Sequence, residues 1–184
     1  MGGLLLILSG ILSILDIFRT KKDKVVFKPL FEFSFPDNLE KPPNPFKTKK
    51  ERIRWFVDFM SRFMYLNNDW YDWYAVITIP ALETAYLSSY DALPIIRKNN
   101  IFAIYPSYKY SRFKSVDECI RTFFNYVNGT YQWIYPEKMR LAYLNRTNGK
   151  EFLKRLAEAH YGDTIEVYKN KLLSVYEDIK KYAR

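Results

Sequence analysis

The sequence predicts a mostly α-helical domain that follows an apolar N-terminal segment. Apolar residues recur at helical spacing in several stretches after residue 48, and two of these stretches begin with a capping-box pattern. Hydrophobic residues make up 48% of the 184 residues, which is enough for a core, and this length suits one domain with appendages. We therefore expect one helical body over residues 48–184, preceded by two shorter regions.

The first region is the apolar run MGGLLLILSGILSILDIF at residues 1–18. A membrane-crossing helix needs about 17–25 residues, so the run is long enough to span a bilayer. No Lys or Arg precedes it, unlike the start of a cleaved signal peptide. We predict an uncleaved N-terminal membrane helix over residues 1–20, with a signal peptide or a buried terminal helix as the alternatives.

The second region, residues 21–47, is rich in proline, with five prolines between residues 23 and 47. Its stretch EKPPNPF is typical of a stiff, extended spacer. The alternating stretch FEFSF favours a short strand. We predict that this region is a tether that holds the helical body away from the membrane.

Helix starts in the body are marked by capping boxes at Thr48 and Ser115, each followed three residues later by Glu. Pro80 interrupts one helical stretch, where it either kinks the helix or starts it afresh. Only the stretch FAIYPSYKYSRF, residues 102–113, is predicted to be non-helical. The predicted helices span residues 49–66, 71–89, 116–127, 137–144, 150–159 and 163–182.

Charge and cysteine content exclude several classes of function. The net charge of +9 suits nucleic acid, anionic lipid or an anionic wall polymer, but no RNA-binding signature or zinc-finger spacing is present, so we expect no specific nucleic-acid partner. Cys119 and His160 are the single cysteine and the single histidine. They can form neither a disulfide framework nor a four-ligand zinc site, and we expect no metal and no cofactor.

Glu83 stands out because it is an acid in the apolar stretch IPALETAYLSSY, residues 79–90. A carboxylate in such surroundings is costly unless it is paired, exposed at a cleft or kept protonated for a purpose. A protonated carboxyl group could serve as a general acid. An exposed or ion-paired helix glutamate is the plainer interpretation, and the stretch alone leaves both open.

Four segments follow one another in the chain: ALETAYLSS, NNIFAI, SRFKSVDECIRTFFNYV and YGDTIEVYKNKL. In this order they resemble the glucosaminidase family of bacterial cell-wall hydrolases, glycoside hydrolase family 73. The family pattern runs approximately as A-L-E-S-G-W-G-x-S, then N-N-L-F-G-I-K, then hydrophobic-R-x-[FY]-x-S-x-x-[ED]-[SA], then Y-A-T-D-x-x-Y-x-x-K-L. The resemblance covers about residues 50–182 and implies a lysozyme-like fold that acts on the peptidoglycan glycan strand.

The resemblance also implies the roles of individual residues. Glu83 matches the catalytic acid, and Tyr161 matches a late tyrosine near the catalytic centre, with Tyr168 as the second late tyrosine. Asn99, Asn100 and Phe102 match the segment that shapes the floor of the cleft. Because a tyrosine or tryptophan ring can stack on a sugar, further candidates are Tyr105, Tyr108, Tyr110, Tyr131, Trp133 and Tyr135.

The sequence departs from the family pattern in two ways. Thr84, Ala85 and Tyr86 replace Ser, Gly and Trp, and Ala103 replaces a glycine. The β-hairpin lobe that usually carries a second carboxylate is much reduced here, because residues 104–113 contain no Asp or Glu.

Without that carboxylate, cleavage would use the N-acetyl group of the substrate, or the product would close to an anhydro-sugar, as in lytic transglycosylases. Asp91, Asp117 and Glu118 could substitute for the missing acid, although helix capping explains Asp117 and Glu118 fully.

The expected function is thus a membrane-anchored peptidoglycan hydrolase of the N-acetylglucosaminidase or muramidase type, with a phage virion as one setting. The basic residues after the apolar run favour a body on the cytoplasmic side of the membrane. That orientation conflicts with an enzyme that acts on the cell wall from the periplasm. Location in a viral membrane, rather than at the cell envelope, would remove the conflict. The main alternative is a non-catalytic wall-binding or structural membrane protein on the same scaffold. A basic membrane protein that contacts nucleic acid is the third hypothesis.

Overall fold

A computed structural model describes residues 32–67, 70–104, 112–132, 134–159 and 165–183. The predicted membrane helix, residues 1–20, lies outside these ranges, as do the first part of the predicted tether and most of the stretch assigned to the reduced β-lobe. Across the described ranges, no helix is both long enough and apolar enough to cross a membrane.

The described part of the chain contains seven α-helices and one short 3-10 helix, and no strand is found there. The predicted mostly α class is therefore confirmed. The helices are α1 (Lys49–Ser61), the 3-10 helix (Met64–Leu66), α2 (Trp73–Glu83), α3 (Leu93–Ile96), α4 (Val116–Val127), α5 (Pro136–Leu144), α6 (Gly149–Glu158) and α7 (Ile165–Tyr182).

Both predicted N-caps are present. The Thr48 side chain accepts a hydrogen bond from the backbone N–H of Glu51 at 3.3 Å, and Ser115 accepts one from Glu118 at 3.2 Å. These bonds satisfy N–H groups that have no partner within the helix, which fixes where α1 and α4 begin.

Helix α2 lies at the centre of the body. Its side chains are buried all along Trp73–Ala81, except for Tyr74, and α6 and α7 pack against it. Pro80 lies inside α2 and does not end it. The two hydrogen bonds from α7 described below join Tyr176 to the start of α2 and Tyr168 to its end, so α7 runs antiparallel to α2.

The prediction of a helix through residue 89 is wrong, because α2 ends at Glu83. Ala85, Tyr86 and Leu87 adopt the left-handed conformation, with φ of 48°, 62° and 61°. The N–H of Tyr86 donates to the carbonyl of Ala81 at 2.8 Å and that of Ala85 to Leu82 at 3.4 Å. This is the Schellman pattern, which usually places glycine at the position that Ala85 occupies.

The segment before α1 packs on the helices, and the predicted strand at FEFSF is not formed in residues 32–35. The N–H of Phe33 donates to the Asp117 carboxylate at 3.1 Å, and that of Phe35 donates to the Asn99 side chain at 2.7 Å. Side chains therefore take the bonds that a neighbouring strand would have taken. Phe35 is 5% exposed, so this part of the predicted tether belongs to the packed body.

Candidate active site

Glu83 and Tyr168, 85 residues apart in sequence, meet in the structure. Glu83 is the last residue of α2, Tyr168 lies in the first turn of α7, and both side chains are half-buried. The hydroxyl of Tyr168 donates a hydrogen bond to Oε1 of Glu83 at 2.7 Å. The structure thus joins two residues that the sequence analysis had placed in one site, and it orients the carboxyl group of Glu83 by a specific contact.

The turn after Glu83 is held by its own side chains. The hydroxyl of Thr84, which is fully buried, donates to the carbonyl of Pro80 at 2.5 Å and accepts from the N–H of Leu87 at 2.9 Å. A hydroxyl is needed for both bonds, and the family pattern has serine at this position. Thr84 therefore fixes the direction in which the chain leaves Glu83.

Two buried side chains also hold the turn after Glu83 in place. Leu87 is fully buried and Tyr86 is 9% exposed, and burial raises the pKa of the Tyr86 hydroxyl to about 12. The side-chain amide of Asn44 donates to the carbonyl of Tyr86 at 2.8 Å and to that of Arg52 at 3.0 Å. The segment before α1 therefore supports the turn that carries Glu83.

The three predicted residues of the cleft floor are buried. Asn99 accepts from Phe35 and its amide donates to the carbonyl of Phe113 at 3.0 Å. Asn100 exchanges two hydrogen bonds with the backbone of Ile104, at 2.8 and 3.0 Å. Phe102 is fully buried against Phe123, with ring centroids 4.6 Å apart. These side chains shape the backbone, and none of the three is exposed to solvent.

Two of the alternative acids have structural partners. Asp117, 2% exposed, accepts from the N–H of Phe33 and from the hydroxyl of Tyr65, and burial together with this bond raises the pKa of Tyr65. Glu118 accepts from the N–H of Lys114 at 2.6 Å. Asp91 is exposed. The positions of Asp117 and Glu118 match the helix-start role that the sequence indicated.

Of the remaining predicted site residues, five lie outside the described residues, namely Tyr161, Tyr105, Tyr108, Tyr110 and Trp133, whereas Tyr131 and Tyr135 are described and exposed. Within the part of the chain that the structure describes, no group of three or more His, Cys, Asp or Glu side chains could hold a metal ion. Cys119 is buried, and burial raises the pKa of its thiol to about 12, which makes it a poor nucleophile.

Sequence reasoning missed a second pair between the same two helices. The hydroxyl of Tyr176 donates to Oδ2 of Asp72 at 2.7 Å, while Oδ1 of Asp72 accepts from the N–H of Ala75 at 3.2 Å. Burial and the bond to Asp72 raise the pKa of Tyr176. An Asp directly before the apolar stretch of α2 was the available signal, because Asp is a preferred N-cap residue.

A comparison with family models, with curated proteins and with solved structures found no match to this chain. A functional assignment therefore depends on the geometry of the described residues and on the resemblance carried by the four sequence segments.

Proposed function

We propose that the protein is a glycoside hydrolase that cleaves the glycan strand of peptidoglycan, with a lysozyme-like fold and with Glu83 as the general acid. Residues 1–18 would hold it at a membrane, either at the cell envelope or in a viral membrane. The observation that carries the proposal is the hydrogen bond between Tyr168 and Glu83.

The Tyr168–Glu83 contact supports the proposal because it joins the acid to one of the two late tyrosines that the resemblance implies, although Tyr161 was the one expected near the catalytic centre. The acid and the late tyrosine come from the first and last of the four matching segments. A half-buried carboxyl group oriented by one hydroxyl has the fixed direction that proton transfer to a leaving oxygen requires.

Backbone conformation supports the proposal independently. The family pattern has glycine at three positions that are Ala85, Leu87 and Ala103 here. All three have positive φ, at 48°, 61° and 49°, a region that glycine adopts at no cost and other residues rarely adopt. A chain that follows the backbone of this family without its glycines would have left-handed residues at these three positions.

In the proposed reaction Glu83 donates a proton to the oxygen that links two amino sugars, and the bond from that oxygen to the anomeric carbon breaks. The N-acetyl oxygen of the substrate can then stabilise the anomeric centre until water attacks and returns a proton to the Glu83 carboxylate. Attack by a hydroxyl group of the same sugar would instead give an anhydro-sugar. Both routes need one protein carboxyl group, which agrees with the absence of Asp and Glu from residues 104–113.

A peptidoglycan zymogram with the full chain tests the proposal. We expect clearing by the wild type, none by Glu83→Gln, and wild-type clearing by Glu40→Gln, which makes the same chemical change at an exposed position. Clearing that survives in Glu83→Gln would remove Glu83 from the mechanism. Binding to the wall without clearing by any of the three proteins would favour the non-catalytic alternative.

Mass spectrometry of the released fragments separates the two routes. Reducing ends indicate hydrolysis, and anhydro ends indicate the transglycosylase reaction.

A further inference from the structure

The body has a concave surface at the opposite end of α2 from Glu83. It is a pocket of about 380 Å³ between the end of α4, the loop 128–132 and α5. The ring of Tyr143, which lines the pocket, lies 6.3 Å from that of Tyr71, the neighbour of Asp72. Since α2 has 11 residues, its two ends are about 16 Å apart, so this pocket is separate from the candidate active site.

The walls of the pocket are preformed. The loop is closed on itself, since the N–H of Tyr131 donates to the carbonyl of Asn125 at 2.9 Å and Oδ1 of Asn128 accepts from Thr130 at 3.0 Å. Gly129 makes this turn with φ of 77°. A ligand would therefore enter a site whose shape already exists, which lowers the entropy cost of binding.

The lining combines an apolar floor with aromatic walls. Val127 and Met139, each 1% exposed, form the floor. The rings of Tyr126 and Tyr131 meet edge to face with centroids 5.5 Å apart, and Tyr131 is 46% exposed. Burial raises the pKa of Tyr126, so its hydroxyl is protonated at neutral pH. Such rings offer apolar faces together with hydroxyl groups that form hydrogen bonds.

The rim is polar but carries no net charge among the described residues of the lining. Arg140 is its cation and Glu137 its anion, and the two are paired at 3.3 Å, while Asn128, Thr130 and Gln132 are neutral. A polyanion would have to compete with Glu137 for Arg140. A fully apolar ligand would leave the amide and hydroxyl groups of the rim without partners. The chemistry fits a small neutral ligand with apolar faces and polar edges.

We propose that this pocket binds one N-acetylated amino sugar of the glycan strand, as a second site distinct from the one at Glu83. A pyranose ring presents C–H faces to tyrosine rings and hydroxyl and acetamido groups to the rim. The identity of the ligand rests on the proposed function, which supplies the glycan strand as the polymer. The site would hold the protein on the wall between cleavage events.

Methionine methyl groups allow a site-resolved test with the full chain in a detergent that has no sugar head group. The chain contains four methionines, of which Met139 lines the pocket and Met60 lies fully buried in the core. In Glu83→Gln protein, which blocks turnover, we expect the trimer of N-acetylglucosamine to shift the Met139 methyl signal saturably and to leave Met60 unmoved. An unmoved Met139 signal at saturating trimer would overturn the proposal.

Variants make the same test quantitative. Tyr131→Ala should raise the Kd read from Met139 about tenfold, the size expected for loss of one aromatic contact. Arg140→Ala should also raise this Kd. Tyr90→Ala removes a tyrosine that is 64% exposed and does not line this pocket, and should change nothing. Equal effects of Tyr131→Ala and Tyr90→Ala, or equal shifts with cellotriose, which lacks the acetamido group, would contradict the assignment.

The failure of this proposal can be told apart from that of the enzyme. If the wild type clears no peptidoglycan while the Met139 shift still depends on Tyr131, the enzymatic function is wrong and the pocket stands as a wall-binding site. If clearing depends on Glu83 while Met139 does not respond to the trimer, the pocket assignment alone is wrong.

Discussion

The two ends of α2 carry the same interaction in different settings. At each end a tyrosine of α7 donates to a carboxyl group of α2 at 2.7 Å, Tyr176 to Asp72 and Tyr168 to Glu83. Asp72 also caps the helix through Ala75, and its own N–H donates to the carbonyl of Arg146 at 2.7 Å. Its position is explained by the helix that it starts.

The helix end that Glu83 occupies does not favour an acid. The amino end of a helix attracts negative charge, which favours Asp72, whereas the carboxyl end repels it. The helix dipole therefore disfavours an acid as the last residue of α2, and the left-handed conformation of the next residues, 85–87, is also unfavourable for residues other than glycine. The comparison teaches that helix capping and the helix dipole both favour Asp72, whereas the helix dipole disfavours an acid at the position of Glu83.

Activity should show the largest difference between the two ends. Glu83→Gln removes the proton that is to be transferred, and we expect the rate of release of soluble wall fragments to fall by about a hundredfold or more. Asp72→Asn makes the same change at the other end and keeps a residue that can cap the helix, so the rate should be unchanged. Equal losses in both variants would mean that the two ends do not differ in function.

When the unfolding free energy is measured, the larger effect should be at the Asp72 end, with Tyr176, and the smaller effect at the Glu83 end, with Tyr168. Tyr176 is 2% exposed, so Tyr176→Phe removes the donor to Oδ2 of Asp72 and should cost about 1.5–3 kcal/mol of unfolding free energy. Tyr168 is half-buried, and water can replace part of its bond. Urea denaturation of Tyr168→Phe should show the smaller loss, with a reduced clearing rate. A larger loss of stability in Tyr168→Phe would reverse the comparison.

The close packing at the Asp72 end can be tested by adding one methyl group. A Cβ at Gly149 would overlap Oδ2 of Asp72 and lie 2.6 Å from the hydroxyl of Tyr176. We expect Gly149→Ala to lower the unfolding free energy by about 1–3 kcal/mol, as overpacking does. Helix propensity alone would raise it by up to about 1 kcal/mol. Urea denaturation therefore shows which effect dominates: a lower unfolding free energy indicates overpacking, and a higher one indicates helix propensity.

The smallest expected effect is at the other end of α2. Ala85 has φ of 48° at the position where the Schellman pattern favours glycine, so Ala85→Gly should raise the unfolding free energy by about 1 kcal/mol. Ala142→Gly, the same change inside α5, should lower it by about 1 kcal/mol or more, because the methyl group of Ala142 is also fully buried. Thermal unfolding checks both, and a loss of stability in Ala85→Gly would show that the left-handed turn is not strained.

Helix starts could be predicted from the sequence, whereas the end of α2 could not. Thr48 and Ser115 carry their own signal, because a hydroxyl before an apolar repeat with Glu three residues later is a local pattern. The turn at Ala85 has no glycine to mark it, so local rules favour a longer helix. Its left-handed residues are stabilised by burial of Leu87 and by distant groups such as Asn44, which no local pattern contains.

The candidate site was predictable in part for a similar reason. The motifs placed Glu83 and Tyr168 in one site but assigned the position near the catalytic centre to Tyr161, whereas the Asp72–Tyr176 pair belongs to no motif and needs the helix packing to be known. The Asn99 side chain was assigned to the cleft, yet it accepts the N–H of Phe35, 64 residues earlier. A proline-rich composition gives no indication that such a segment is packed.

The packed segment before α1 determines where a shortened version of this protein can begin. The ring of Phe33 lies 5.3 Å from that of Phe59, and Phe35 lies 5.8 Å from the same ring. A fragment cut at Thr48, the first capping residue, would lack Phe33 and Phe35, uncover the ring of Phe59, and leave the amide of Asn99 and the carboxylate of Asp117 each short of one donor. Such a fragment would be prone to self-association, so the smallest well-behaved unit for fusion or crystallisation begins upstream of Phe33.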